Sequence, residues 1–377
     1  MTQLAIAFII CYHIIIINNP QEAIMNINRI PTPALIVEAD IFYKNLETMK
    51  GIFADKKVSL RPHYKSNKSS FIAHEQMKYG AKGITCAKLG EAIDLADSGI
   101  KDILIANQIV EESKINQVAQ LALDCHLTVC VDNSENVKAL SKAAVNAGSI
   151  IHCYVEYDIG MDRCGVVNQD DVVALAHEIE ALDGLTFDGI QAYAGHISHV
   201  VGKEERLDMT SDNSAKLRQL LAKLEEAGIP ARELSGGSTG TSLIKAEEGL
   251  YTEIQAGSYI FMDATYRDLA LPFENSLFIL ATVVSTRGGV TVLDAGVKSC
   301  GMDQGNPVLV GMDAERIEAN EEHIKLFGLD KELKIGDKVR LIPGHCCSTV
   351  NLYDKIYMVR NDEVTDRIIV TARGKSR

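Results

Sequence analysis

The sequence predicts an α/β fold: a (β/α)8 barrel of the TIM type, followed by a second, C-terminal all-β domain. Three observations carry this. Short β-rich runs alternate with helical segments eight times between residues 58 and 261. Most connections place apolar residues at i, i+3, i+4 and i+7, the period of a helix packed on one face. After about residue 275 the helices stop and strands follow one another. A doubly wound open sheet is the alternative. It prefers a glycine-rich turn after its first strand, whereas here that strand runs into RPHYKSNKS, which has no glycine.

The eight runs are 58–65, 83–88, 103–107, 127–132, 151–158, 187–195, 232–236 and 251–261. Segment 133–148 shows how the helices are read. Ser134 is the expected N-cap, Val137, Leu140, Ala143 and Ala144 form the apolar face, and Gly148 closes the helix. SLFILATVVS, GVTVLDAGV, DKVRLIPGH and KIYMVRNDEV are the strands of the β domain. TPALIVE, at 32–38, precedes the first helix and is expected to pair with that domain. The predicted division is a barrel over 40–270 and a β domain over 271–377 with strand 31–39.

Residues 1–25 are read as an apolar extension outside the fold. Residues 4–17, LAIAFIICYHIIII, are almost wholly apolar. The run is short of the ~20 residues of a membrane-spanning helix. No Lys or Arg precedes it and no A-x-A site follows it, so it lacks the flanks of a signal peptide. The net charge of −13 argues against nucleic acid, which needs a basic surface. Nine cysteines without a CxxC pair suit a reducing compartment. The expected location is cytoplasmic, with no stable membrane partner; a signal or an anchor at 4–17 is the alternative.

Barrel chemistry sits at the C-terminal ends of the strands. Those ends carry His63 and Lys65, Lys88, Asp158 and Arg163, Tyr193, His196 and His199, the loop SGGSTGT, and Asp263. Lys65 is a candidate nucleophile toward carbonyls, with Arg61 and Lys68 as the cations expected to crowd it. SGGSTGT is the candidate phosphate cradle: glycines let backbone N–H groups approach an anion, and Ser238 and Thr239 add hydroxyls. In the β domain, His345 and Cys347 would share one face of a strand, with Cys346 pointing away. That pair suits zinc, with coordination positions left open. His13 lies in the apolar tail. His74, His126, His152 and His177 lie away from the predicted mouth and are given structural roles.

The stretches TPALIVEAD, RPHYKSNKS, GITCAKLGEA, DRCGV, GIQAYAGHISH, SGGSTGT, FENSLFIL, LDAGVKS and PGHCCSTVNLYD run in order from about residue 31 onward. Together they resemble the metal-dependent, pyridoxal-phosphate D-threonine aldolase and D-serine dehydratase group, whose fold is alanine racemase-like. The resemblance implies that Lys65 attaches the cofactor covalently. It matches Arg163 to the arginine facing the pyridine nitrogen, which leaves that nitrogen unprotonated and limits the ring as an electron sink. It matches Gly236, Gly237, Ser238, Thr239 and Gly240 to the phosphate loop, with Tyr259 nearby and His63 and Tyr193 also at the cofactor. His199 matches the base of the aldolases, and His345 and Cys347 the metal ligands.

The activity it implies is a lyase cleaving D-3-hydroxy amino acids to glycine and an aldehyde. GIQAYAGHISH and FENSLFIL resemble the aldolase branch. Aldolases of the group usually carry His-x-Asp, whereas His-x-Cys is the dehydratase pattern. D-Serine/D-threonine dehydration to a 2-oxo acid and ammonia is therefore the alternative, and a non-catalytic cofactor carrier a minor one. The thiolate favours zinc, with manganese or magnesium as the other metals. The expected partner is a small D-hydroxy amino acid, and the group's architecture suggests a homodimer.

Overall fold

The computed structural model describes residues 25–377. The apolar run at 4–17, with Cys11 and His13, lies outside the described residues. The chain opens with β1 (Ala34–Glu38) and α1 (Ala39–Phe53). Eight strands then alternate with helices. They are β2 (Ser59–Leu60), β3 (Ile84–Cys86), β4 (Asp102–Ile105), β5 (His126–Val131), β6 (Ile151–Glu156), β7 (Leu185–Ala192), β8 (Glu233–Gly236) and β9 (Glu253–Ile254). The helices between them are α2 (Ser70–Lys78), α3 (Leu89–Asp97), α4 (Glu112–Leu121), α5 (Ser134–Ala147), α6 (Gln169–Ala181), α7 (Lys203–Glu226) and α8 (Ser242–Glu248).

All pairings in this sheet are parallel, in the order β2-β9-β8-β7-β6-β5-β4-β3. Its two edges meet through a single parallel bridge between His63 and Thr85, where the Thr85 N–H donates to the Pro62 carbonyl at 2.9 Å. Alternate residues of each strand face opposite sides. Ile103, Ile105, Leu127, Val129, Ile151 and Cys153 pack under the helices in the main core. Leu104, Cys130 and Tyr154, one register out, form a small cluster of their own.

The first and last strands are shorter than the sequence suggests. The chain after Leu60 leaves the ladder and turns through a 3-10 helix at Tyr64–Ser66, and after Ile254 another forms at Ser258–Ile260. In α5 the cap is Asn133, not Ser134: the Asn133 Oδ1 accepts the Asn136 N–H at 2.9 Å. Gly148 closes that helix in the left-handed conformation, at φ 72°.

The remaining strands are β10 (Leu277–Arg287), β11 (Val290–Leu293), β12 (Val308–Leu309), β13 (Ala314–Ala319), β14 (Ile324–Leu329), β15 (Lys338–Ile342), β16 (Lys355–Arg360) and β17 (Glu363–Ile369). With β1 they make a nine-stranded sheet. There β1 runs antiparallel to β10 and parallel to β16. The chain thus starts in this sheet, builds the barrel, and returns. Leu35, Val37 and Phe42 share one continuous core with Leu277, Ile279, Leu341 and Val350, so sheet and barrel are packed together. A short helix, α9 (Cys346–Val350), follows β15 and lies against the turn that carries Lys65. Among the described residues no helix is long and apolar enough to cross a membrane.

Candidate active site

Lys65 sits in the 3-10 turn just beyond β2, half-buried. His63 caps that turn: its Nδ1 accepts the Lys65 N–H at 3.3 Å, so Nδ1 carries no proton. Burial, with Lys65, Lys68 and Arg163 nearby, pushes the His63 pKa well below the imidazole range, which fits a ring nitrogen acting as acceptor. The Lys65 Nζ lies 5.7 Å from the centroid of the Tyr193 ring, and the Arg163 guanidinium carbon lies 5.6 Å from the same ring. Around them is a cavity of about 200 Å³, lined also by Glu156, Gln191 and Gln255. Burial raises the Glu156 pKa, although Gln108 donates to its carboxylate and Arg163 stands 4.0 Å away.

The expected crowding of Lys65 by free cations is not met. Arg61 is fully buried on Glu253 at 2.8 Å and Asp102 at 2.7 Å, and Lys68 is bound to Glu91 at 2.6 Å. Both charges are neutralised by carboxylates. Asp158 also has a local task. Its Oδ1 accepts the backbone N–H groups of Gly160 and Met161, so it shapes the loop that leads to Arg163.

The loop from Gly236 to Gly240 leaves β8 and enters a 3-10 turn, Thr239–Thr241, before α8. It is buried throughout. Two of its glycines serve the chain's own packing. A Cβ at Gly236 would collide with the Ala192 carbonyl, and one at Gly240 with the Ser198 carbonyl. Gly237 has φ +75°, a conformation that favours glycine. The Ser238 N–H is held by Thr241 Oγ1 at 3.1 Å. The Thr239 hydroxyl is different: it is buried and has no hydrogen-bond partner among the described residues. A buried orphan hydroxyl on such a loop suits an anion's oxygen. Tyr259 is buried in the 3-10 turn after β9, and its hydroxyl accepts from Gln76 Nε2 at 3.2 Å.

His345, Cys346 and Cys347 do not form a strand. His345 is extended, at φ −143°, and serves as N-cap of α9, while both cysteines are helical. His345 and Cys347 therefore do not share a strand face, and Cys346 does not point away: its Sγ lies 4.0 Å from that of Cys347. What separates the two is burial. Cys346 is fully buried, with its N–H donating to Asp263 Oδ2 at 2.8 Å, whereas Cys347 is only part-buried. The Cys347 Sγ lies 3.6 Å from Ser66 Oγ, next to Lys65, and its side chain contacts His345. Hydrogen bonding from Cys346, then from His345, holds the Cys347 thiol well below its ordinary pKa and outweighs burial. The His345 Nδ1 is bound to Asp303 Oδ2 at 2.6 Å, and Ser348 donates to the other oxygen of Asp303. That leaves His345 Nε2 to meet the Cys347 side chain. Desolvation lowers the His345 pKa, but Cys347 and Asp303 outweigh it and raise it to about 9, so an ion binding there displaces that proton. The imidazole so freed and a low-pKa thiol, with a carboxylate orienting the ring, make a donor set for a soft or borderline divalent ion.

His199 stands exposed at the rim, with its ring centroid 4.8 Å from that of Tyr266. Desolvation lowers its pKa, with Asp263, His345, Cys347 and Lys65 as its charged neighbours. The structure thus brings Lys65, His199, His345 and Cys347 together, and groups His63, Arg163 and Tyr193 around the adjoining cavity. The sequence did not point to Asp303, Ser66, Gln191 or Gln255.

Comparison with known proteins agrees with this architecture. Residues 37–265 match the model of the alanine racemase N-terminal domain, and residues 276–359 that of a putative serine dehydratase domain. The chain is 39% identical over 357 residues to the D-threonine aldolase of an Arthrobacter species, covering 93% of this chain and 94% of that one. It is 36% identical over 364 residues to the 3-hydroxy-D-aspartate aldolase of Paracoccus denitrificans, with 93% and 94% covered. The crystal structure of D-threonine aldolase from Filomicrobium marinum superposes with a TM-score of 0.91 at 36% identity, covering 94% of this chain and 99% of that one. The chain belongs to the family of D-threonine aldolases and D-serine dehydratases, lyases built on the alanine racemase-like fold.

Proposed function

We propose that this chain is a pyridoxal-phosphate- and divalent-metal-dependent lyase that cleaves D-3-hydroxy amino acids between Cα and Cβ, giving glycine and an aldehyde. The observation that carries this is the contact between α9 and the Lys65 turn. In support, His345 and Cys347 lie beside Lys65, which lines the cavity, with His199 next to both. The residues fit the cofactor: the orphan Thr239 hydroxyl, the Gly236–Gly240 loop and the adjoining cavity offer an anion cradle and room for a ring.

In this reading Lys65 holds the cofactor covalently, and Gly236, Gly237, Ser238, Thr239 and Gly240 take its phosphate, with Tyr259 in support. Arg163, His63 and Tyr193 bound its ring. His345 Nε2 and Cys347 Sγ hold the metal, and the thiolate favours zinc over manganese or magnesium. When bound, the cofactor accepts the electron pair released at Cα, and the metal polarises the substrate's β-hydroxyl.

The protein's own groups do the proton work. His199, kept neutral by desolvation, takes the β-hydroxyl proton on a ring nitrogen, which starts the break between Cα and Cβ. Asp303 fixes the His345 ring through Nδ1. His63 stays neutral and places the Lys65 backbone.

One observation favours dehydration as a second reading. The donor pair is His-x-Cys, and it lies inside the segment that matches the putative serine dehydratase domain. There Lys65 would take the α-proton and the hydroxyl would leave. Product analysis with D-threonine and D-serine, with zinc or manganese added, separates the two. Glycine plus aldehyde supports the aldolase, and ammonia plus a 2-oxo acid the dehydratase. Neither product would leave a cofactor carrier. The expected partner is a small D-hydroxy amino acid, and the expected assembly a homodimer, which light scattering of the full chain tests.

A further inference from the structure

The floor of the barrel, opposite the mouth, holds a second group of donors. His126 opens β5, His152 is the second residue of β6, and Asp188 lies in β7. The sequence assigns the two histidines no more than structural roles. The register of β7 explains why they meet Asp188. His152 pairs with Thr186 and Cys153 with Phe187, but Tyr154 pairs with Gly189. Asp188 is the extra residue of a β-bulge, and a bulge re-aims a side chain that regular pairing would place elsewhere.

The resulting cluster is compact. Asp188 Oδ2 lies 2.6 Å from His152 Nδ1 and 4.0 Å from His126 Nε2. The two imidazole centroids are 3.9 Å apart. One donor atom from each residue falls within 4.8 Å of the other two. Arg232 Nη1 holds the other carboxylate oxygen, Oδ1, at 3.0 Å and so leaves Oδ2 to the histidines. Two of the three side chains are accounted for by these hydrogen bonds. His126 is not, because 4.0 Å is too long for a hydrogen bond. Its side chain is 47% exposed, which opens the cluster to solvent.

We propose that His126, His152 and Asp188 form a second divalent-metal site on the barrel floor. Two imidazoles and one carboxylate would hold a borderline transition ion such as zinc, with water in the remaining position. Metal–ligand bonds of about 2.0–2.2 Å put tetrahedral donors roughly 3.3 Å apart, so the two pairs made with Asp188 have to shift by about 0.7 Å each and the two histidine nitrogens by at most about 1.5 Å. The site is structural. His152 and Glu156, which lines the mouth cavity, are four residues apart on β6, or about 13 Å. An ion at the floor therefore cannot reach a substrate at Lys65. It would tie three adjacent strands at the end of the barrel that serves stability. This proposal does not depend on the mouth chemistry.

The test measures zinc per chain by elemental analysis on metal-stripped, refilled full-length protein. Wild type is compared with His126→Ala and Asp188→Asn, with circular dichroism as the check on folding. Each variant is expected to hold one zinc fewer than wild type. Zinc is expected to raise the melting temperature of wild type by more than that of either variant. If the alanine variant does not fold, His126→Gln keeps a polar side chain at this strand start and is read the same way. Equal zinc content in wild type and the folded His126 variant overturns the site. Cys347→Ala reports the mouth pair separately. A loss there with none at His126 overturns the floor site alone, and the opposite pattern overturns only the mouth pair.

Discussion

Asp303 offers the sharpest test of the metal pair, because it touches a donor without being one. Its Oδ2 binds His345 Nδ1 at 2.6 Å and its other oxygen takes the Ser348 hydroxyl, so it fixes both the ring and the first turn of α9. Asp303→Ala removes the ring's anchor and leaves His345 Nε2 and Cys347 Sγ in place. Loss of such an outer partner typically weakens metal binding by about 10–100-fold. That corresponds to about 1.4–2.8 kcal/mol. The Asp303 side chain is 49% exposed, so solvent replaces part of what is lost and the lower half of that range applies. Competition with a chelator of known affinity measures the change. Activity lost by Asp303→Ala should return at excess zinc, whereas activity lost by Cys347→Ala should not. Unchanged metal affinity in the Asp303 variant, or equal rescue of both variants, would show that Asp303 does not orient His345 toward a metal.

Other consequences follow from named contacts. Arg61→Met removes the nearest cation from two carboxylates, Glu253 fully buried and Asp102 part-buried; Lys82 Nζ, 3.4 Å from Glu253, keeps part of that charge paired, so the loss in urea melts should fall near the lower end of about 3–5 kcal/mol. A cost under about 1 kcal/mol would show that the pair is hydrated. Asn133→Ala should cost about 1 kcal/mol, and Ser134→Ala much less, because Asn133 is the residue that caps α5. His63 is buried with its pKa well below 6.5. The unfolded chain therefore takes up a proton that the folded chain refuses as pH falls through that ordinary value. Stability should drop on the acid side of about pH 6.5, and a folded His63→Gln variant should show a shallower drop. Identical slopes would contradict a buried neutral His63.

Much of the fold is legible because it is periodic. Alternation of strand and helix over eight units marks the barrel, and the loss of helical spacing after residue 275 marks the second sheet. Site residues at strand ends are legible for the same reason, since the barrel fixes where those ends converge. What the sequence hides lies below one period. Three residues, His345 to Cys347, are too few to reveal whether they are helix or strand, and they begin a helix. The bulge at Asp188 adds one residue without altering composition, so the floor cluster is invisible until the register is known. Asp303 lies 42 positions from His345 in a loop with no pattern. The glycines at 236 and 240 read as an anion loop, yet what they avoid is the chain's own carbonyl groups. Burial of the Thr239 hydroxyl, which the sequence cannot show, is the better pointer to an anion.

In the proposed reading one site, joining Lys65 to His345 and Cys347, cleaves D-3-hydroxy amino acids. The most direct measurement follows D-threonine turnover by cofactor- and zinc-loaded wild type and Lys65→Ala, with the cofactor's visible absorbance recorded in parallel. Wild type is expected to give equimolar glycine and acetaldehyde. Lys65→Ala is expected to give no product and no visible band near neutral pH. Ammonia with a 2-oxo acid from wild type, or an unchanged band and activity in Lys65→Ala, would contradict that reading.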